Sequence, residues 1–211
     1  MHRFALHRIR DTSVSTSAPS SPSDQKAQLR TAALALRDAL PAAERQAAAE
    51  AIAARPFPVK VGAGMIVSGF SPLKSEINPI PLMRKLAEAG AQLALPAIAG
   101  RGLPLIMRAW KFGDPFKAGQ WGIREPLPEA PEVSPDILIV PLACFDRAGH
   151  RIGYGAGYYD MTIAALRAKK KVLAVGIAFA AQEIPQVPAT ERDERLDLVL
   201  TEREVIDFRS A

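Results

Sequence analysis

Cysteine is nearly absent from this 211-residue chain, and its scarcity excludes a good deal. With Cys144 alone, neither a disulfide framework nor a cysteine-cluster metal site can be built, and a reducing compartment, the cytoplasm, is the expected setting. Histidine is scarce as well. His2 and His7 lie at the extreme N-terminus, which leaves His150 as the one histidine of the expected folded body. A histidine-dependent triad or a multi-histidine zinc site therefore has little material to work with. No stretch is long and apolar enough to span a bilayer, and the chain does not open on the continuous apolar core of a secretory signal. Aromatic and basic residues are not interleaved as they are in RNA-binding surfaces. The common nucleotide fingerprints are missing too: there is no Gly-Lys-Ser/Thr of a P-loop and no G-x-G-x-x-G. Any catalysis must lean on charge and positioning.

What is present suits one globular domain with a well-buried core, at 48% hydrophobic and 23% charged residues. The formal charge is +5. Arg3, Arg8 and Arg10 stand against Asp11 and Asp24 in the first 24 residues, a net +1, so +4 stays with the body. That dispersed excess draws a small polyanionic substrate as readily as a phosphodiester backbone. The segment TSVSTSAPSSPS over 12–23 is too polar to pay for ordering, so residues 1–23 are expected to form a disordered arm and 24–211 a single domain.

Asp24 is the expected N-cap of a first helix with Leu29, Ala33, Leu36 and Leu40 on one face, and Lys26 and Arg30 four apart on one side. Pro41 opens a second, alanine-rich helix to about Arg55. Strands are expected over 64–70, 92–95, 103–110, 136–140, 171–177 and 196–200. Helices are expected over 79–89, closed by Gly90, and 158–166. The 111–135 segment, rich in proline and glycine, is longer than a connector needs to be, and Arg167 to Lys171 are expected as a solvated helix end. This alternation predicts an α/β fold, a three-layer αβα sandwich around a mostly parallel sheet. Ligands in such sheets gather beyond the carboxyl ends of the strands, where the turn from Phe70 to Glu76 and the segment after Val140 would face one crevice.

The densest chemistry lies in DRAGHRIGYGAGYYD, Asp146 to Asp160. A strand, a glycine-rich loop and a helix start aim free backbone amides and the positive end of a helix dipole at one point, which suits a phosphate. Gly153, Gly155 and Gly157 alone would equally make a plain turn. Arg151 inside the loop is a ready phosphate partner, and Asp160 at the helix start is either a divalent-cation ligand or a carboxylate favoured by the dipole alone.

With these residues assembled, the chain resembles the 5-formyltetrahydrofolate cyclo-ligase family. The likeness begins at Lys26-Ala-Gln-Leu-Arg30 and runs through Ser75-Glu-Ile-Asn-Pro79, Gly122-Ile-Arg-Glu-Pro126 and the glycine loop. It continues to Val187-Pro188, Asp193 and Leu196-Asp197. It implies the NagB/RpiA/CoA transferase-like arrangement of the fold, and ATP- and magnesium-dependent conversion of 5-formyltetrahydrofolate to 5,10-methenyltetrahydrofolate. It further implies ATP contacts from Lys26 and Arg30 and from the loop Gly149, His150, Arg151, Ile152, Gly153, Tyr154, Gly155, Ala156, Gly157 and Tyr158. Arg151 and Lys26 are the implied catalytic cations, and Asp160 and Asp193 the implied magnesium ligands. Glu76 is the implied folate contact, with Phe70, Met107, Trp121, Tyr154 and Tyr158 as lining candidates; Phe70, Met107 and Trp121 could each equally be core. Ala156, and Met161 where arginine is common, depart from the family pattern. A paralogous enzyme acting on another pterin or phosphorylated substrate, and a basic nucleic-acid-binding or regulatory module, are the alternatives. No nucleic acid and no membrane partner are expected, and a monomer is the default.

Overall fold

The computed structural model describes residues 21–209. Helix α1 spans Pro22–Asp38 and α2 Ala42–Ala54; β1 follows at Ile66–Ser68, α3 at Ile80–Glu88, β2 at Gln92–Ala97 and β3 at Ile106–Ala109. A small antiparallel pair, β4 (Phe116–Ala118) and β5 (Arg124–Pro126), precedes β6 (Ile137–Val140). A second such pair is β7 (Cys144–Phe145) and β8 (Arg151–Ile152). The chain finishes with α4 (Tyr158–Arg167), β9 (Leu173–Ile177), β10 (Leu198–Leu200) and β11 (Val205–Asp207).

The main sheet has the order β11-β10-β9-β6-β1-β2-β3. Its five inner strands are parallel, while β11 and β3 run antiparallel at the two edges. The expected α/β fold with a mostly parallel sheet is what the chain adopts. Side-chain alternation divides the core into two layers. Ile137 and Ile139 of β6 join Val175, Ile177, Leu198 and Leu200 in the layer covered by α2 and α3, whereas Leu138 and Val140 join Ala174, Val199 and Ile163 of α4 on the other face. Gly176 is needed here: a Cβ would lie 2.7 Å from Leu196 Cδ1 and 3.0 Å from Leu142 Cδ2. The stop at Gly90 is as expected, with φ at +98°.

Helix α1 departs from expectation at its start and in part of its inner face. Ser21, not Asp24, is its N-cap. Asp24 is the third helical residue and completes a capping box with Ser21, and Pro22 occupies the first turn. Residues 21–23 thus belong to the helix and its cap, while the rest of the expected arm lies outside the described residues. Leu29, Ala33 and Leu40 of the expected face do pack inward, but Leu36 is 62% exposed and its neighbour Arg37 only 2%. The reason is placement. Helix α1 packs on β7 and the 180–182 turn through Leu29 and Ala33, against Cys144, Ile152, Val187 and Ile184, and not on a sheet face. Nor is the end of α4 simply solvated. Arg167 pairs with Glu194 at 2.6 Å and Asp197 at 2.8 Å, and Lys170 with Asp136 at 2.6 Å, tying α4 to the segments entering β10 and β6.

Candidate active site

The stretch from Asp146 to Asp160 divides into a braced hairpin and an open cradle. Asp146, 2% exposed, closes the turn between β7 and β8: Oδ1 accepts from the amides of Ala148 (2.9 Å) and His150 (3.0 Å), and Oδ2 from Val187 (2.9 Å). Gly149 sits at φ +84°, and a Cβ there would lie 3.1 Å from both the Leu196 carbonyl oxygen and the Phe208 ring. Its own carbonyl receives the Leu196 amide at 2.9 Å, which fixes the segment carrying Asp193. Ile152 is buried beside Ala33 and Cys144. An open groove of about 550 Å³, with His150, Val187, Ala189 and Thr190 among its lining residues, runs along the outside of this hairpin.

Beyond Ile152 the backbone opens out. Gly155 (φ +97°) and Gly157 (φ +70°) take conformations that favour glycine, and Gly157 starts α4 without any side-chain cap on the first-turn amides. Two cations, Arg30 and Arg151, lie against this loop, and a third, Lys26, holds the neighbouring Asp193. Arg30 Nε donates to the Gly153 carbonyl at 2.7 Å, and its guanidinium would stand 3.4 Å from any Cβ at position 155. Lys26 Nζ lies 2.5 Å from Asp193 Oδ2, and Arg151 Nη2 lies 2.8 Å from Asp160 Oδ1. Asp160 also accepts the Glu194 amide at 3.2 Å, which draws the two aspartates' segments together. The Arg151 Nε is buried and has no hydrogen-bond partner. Burial pushes the Asp193 carboxyl up, but Lys26 and the amide and hydroxyl of Thr190 outweigh it and hold Asp193 below the ordinary aspartate value.

Among the described residues no three histidine, cysteine, aspartate or glutamate side chains cluster closely enough to cage a metal ion. Asp160 and Asp193, each held by a cationic side chain, fit a different arrangement. A magnesium ion that keeps several waters and arrives on phosphates needs only one or two carboxylates, and the cations that now hold them would turn to the phosphates.

A second group lies at the other end of α1. Glu76 Oε2 accepts the Leu73 amide at 2.6 Å. Burial pushes the Glu76 carboxyl above its ordinary value, against the opposing pull of the Tyr154 hydroxyl, the Leu73 amide and the Arg37 charge. Tyr154 is 43% exposed as a residue, but desolvation of its phenol and the neighbouring Glu76 push that phenol up. Of the other lining candidates, Phe70 is 3% exposed in the α2–α3 layer, Met107 is buried in the α4 layer with Ser68 Oγ 3.1 Å from its sulfur, and Tyr158 opens α4, its carbonyl accepting from Thr162. Trp121 is 67% exposed on the 120–122 turn, at φ +56°.

The family model for the 5-formyltetrahydrofolate cyclo-ligase family matches residues 22–202. The chain belongs to that family. It is 35% identical over 184 residues to the 5-formyltetrahydrofolate cyclo-ligase of Mycolicibacterium smegmatis, covering 83% of this chain and 93% of that one. It is 30% identical over 150 residues to the Escherichia coli K12 protein of the same name, 67% and 80% of the two chains. The solved structure of Aquifex aeolicus 5,10-methenyltetrahydrofolate synthetase superposes with a TM-score of 0.70 at 29% identity, over 88% of this chain and 94% of that one. As a cyclo-ligase family member the chain is an enzyme of the ligase class, and not the binding module set beside it above. The match takes in both halves of the site, from Lys26 and Arg30 to Asp193. Arg37, buried at the Glu76 end of α1, was not among the residues expected near the site, although it falls in the row Lys26, Arg30, Ala33, Arg37 at spacings of four, three and four.

Proposed function

We propose that this cyclo-ligase uses ATP and magnesium to convert 5-formyltetrahydrofolate to 5,10-methenyltetrahydrofolate, releasing ADP and phosphate. The observation that carries the reading is that one loop serves both groups: Gly153 and Gly155 lie against Arg30, and Tyr154 between them accepts from Arg37, which also holds Ser75 beside Glu76. A formyl group on a ring nitrogen is an amide whose oxygen leaves poorly. Transfer of the γ-phosphoryl group to that oxygen breaks the bond to ADP and makes the oxygen a leaving group. The second nitrogen then bonds to the formyl carbon and gives up its proton to solvent, the carbon–oxygen bond breaks, and phosphate departs with the electron pair. The substrate supplies the phosphoryl acceptor, so the protein needs alignment and charge, and no nucleophile of its own.

Arg151, Lys26 and Arg30, with the amides of Gly153 to Tyr158, bind the phosphates and offset charge on the phosphoryl group as it moves. Asp160 and Asp193 would hold magnesium, which neutralises phosphate charge when bound. The groove beside His150 has the volume of a small-molecule site and suits the nucleoside end of ATP. Glu76 accepts hydrogen bonds from the pterin N–H groups beside Tyr154 and Tyr158. Trp121 offers an exposed ring to the substrate, while Phe70 and Met107 act through packing. The test is direct: methenyl absorbance should grow when 5-formyltetrahydrofolate is added with MgATP and should stay flat without ATP. Growth without ATP, or none with it, would sink the reading.

A further inference from the structure

Arg37 is the most buried charged side chain of α1, and no role in the reaction has yet been given to it. Its Nε donates to Ser75 Oγ at 3.0 Å, and its Nη2 lies 3.7 Å from Asp38. Its Nη1 donates to the Tyr154 hydroxyl, whose ring lies 5.7 Å from the guanidinium carbon. The Tyr154 hydroxyl and the Arg37 charge both draw the Glu76 carboxyl down against its burial, and Ser75, the other partner of Arg37, directly precedes Glu76 in the chain. Ser75 donates to Asp38, which closes the arrangement on the helix side. Three separate segments therefore meet at one phenol: the first helix, the turn after β1, and the glycine loop.

Burying an arginine is costly unless its donors are used and its charge is answered. Here the fork of the guanidinium is shared among a serine, a tyrosine and, across the tyrosine, a glutamate. Asp38, at 3.7 Å and largely exposed, answers part of the charge, but the hydrogen bonds of the guanidinium go to Ser75 and Tyr154 and not to a carboxylate. Arg37 instead reaches Glu76 through a side chain of the loop that also meets Arg30. Lys26 and Arg37 lie eleven residues apart on one helical face, about 16 Å along the axis, so one rigid helix holds the phosphate end and the Glu76 end in register.

We propose that Arg37 is a positioning residue for folate: through the Tyr154 hydroxyl it orients Glu76 to receive the pterin and docks the loop's tyrosine where the two substrates meet. The inference rests on the reading of Glu76 as the folate contact. It predicts that Arg37 acts on folate only by way of Glu76.

The experiment is a double-mutant cycle on the full chain. Dissociation constants for 5-formyltetrahydrofolate and for ATP are measured for the wild type, Arg37→Gln, Glu76→Gln and the double variant. Arg37→Gln and Glu76→Gln should each weaken folate binding by about tenfold or more, as expected for loss of a charge-assisted hydrogen bond, with ATP binding within about twofold of wild type. The double variant should bind folate no more weakly than Glu76→Gln alone. A double variant that loses the product of both factors would overturn the inference while leaving the folate role of Glu76 standing. Wild-type folate affinity in Glu76→Gln would overturn that role and the inference with it. Should Arg37→Gln fail to fold, Arg37→Lys keeps the buried charge without the fork, and Tyr154→Phe removes the linking hydroxyl without touching α1. Either should weaken folate and spare ATP, and unchanged folate affinity in both would overturn the proposal.

Discussion

The two ends of α1 hold their charges in opposite ways. At the phosphate end, Lys26 and Arg151 grip Asp193 and Asp160 as direct ion pairs, partly open to solvent. Such pairs can be exchanged: if a phosphate and a metal arrive together, each cation and each carboxylate keeps a partner of opposite sign. At the other end, Arg37 and Glu76 do not touch as a pair but share a tyrosine, and burial raises the Glu76 carboxyl despite the arginine. One end is built to swap partners and the other to hold one carboxylate still. On the proposed function that difference would follow from what each ligand brings, phosphates with their own countercation in one case and a neutral pterin ring in the other.

The strongest way to break the comparison is at the exchangeable end. Asp160→Asn keeps an acceptor for the Glu194 amide but removes the charge that answers Arg151. Magnesium-dependent turnover should fall on the order of a hundredfold or more, the scale seen when a group stabilising transition-state charge is lost. Folate affinity measured without ATP should not change, and a circular dichroism spectrum should show the fold retained. Normal turnover would remove Asp160 from the metal role. Arg151→Ala should likewise act chiefly on turnover.

At the fixed end the larger effect should appear in stability against pH. A carboxyl whose value is raised in the folded protein binds its proton more tightly there, so folding is favoured on the acid side and that advantage is lost as pH rises through the folded value. Glu76 is such a group. Asp193 is the reverse, since its folded value is lowered: its contribution is present above the ordinary aspartate value and is lost as pH falls through the folded one. Urea midpoints for Glu76→Gln and wild type from pH 4 to 8 should therefore diverge, with the glutamine variant gaining relative to wild type as pH rises. A difference that is flat with pH would show that burial does not strain Glu76.

Much of this was legible in advance, but unevenly. The apolar runs of β6 and β9, the helix ended by Gly90 and the parallel inner sheet follow from local pattern, because buried parallel strands are apolar on both faces. The edge strand β3 was expected beside β2, where it pairs, though not its direction, which its neighbour sets; β11, beyond the last expected strand, was not foreseen. The β7–β8 hairpin was hidden because its strands are two residues each and its turn is closed by the buried Asp146 carboxylate, which accepts from the amides of Ala148 and His150 further along the chain. The site was harder. Lys26 and Asp193 are separated by 167 residues, and no local pattern joins them; only the family likeness did. Arg37 was missed for a physical reason. An amphipathic reading assumes that the buried face of a helix is the apolar one, and α1 covers a polar site.

The smallest predicted effect sharpens the comparison most cleanly because it starts outside both groups. Ser21 caps α1 five residues before Lys26, its hydroxyl accepting the Asp24 amide at 3.2 Å while Asp24 accepts the Ser21 amide at 3.3 Å. Replacing an N-cap serine with alanine typically costs about 1 kcal/mol. Ser21→Ala should lower stability by about that amount in urea unfolding. Fraying spreads from the uncapped end, so the first turns loosen before the rest. Lys26 lies in the second turn and Arg37 in the last, where Ser75 and Tyr154 hold it. The KM for ATP should therefore rise by a small factor, about twofold or less on the scale of a partly lost surface-to-site ion pair, while the KM for folate stays at the wild-type value. Equal shifts in both constants would mean that α1 loosens as one body, and that its two ends are less independent than their contacts imply.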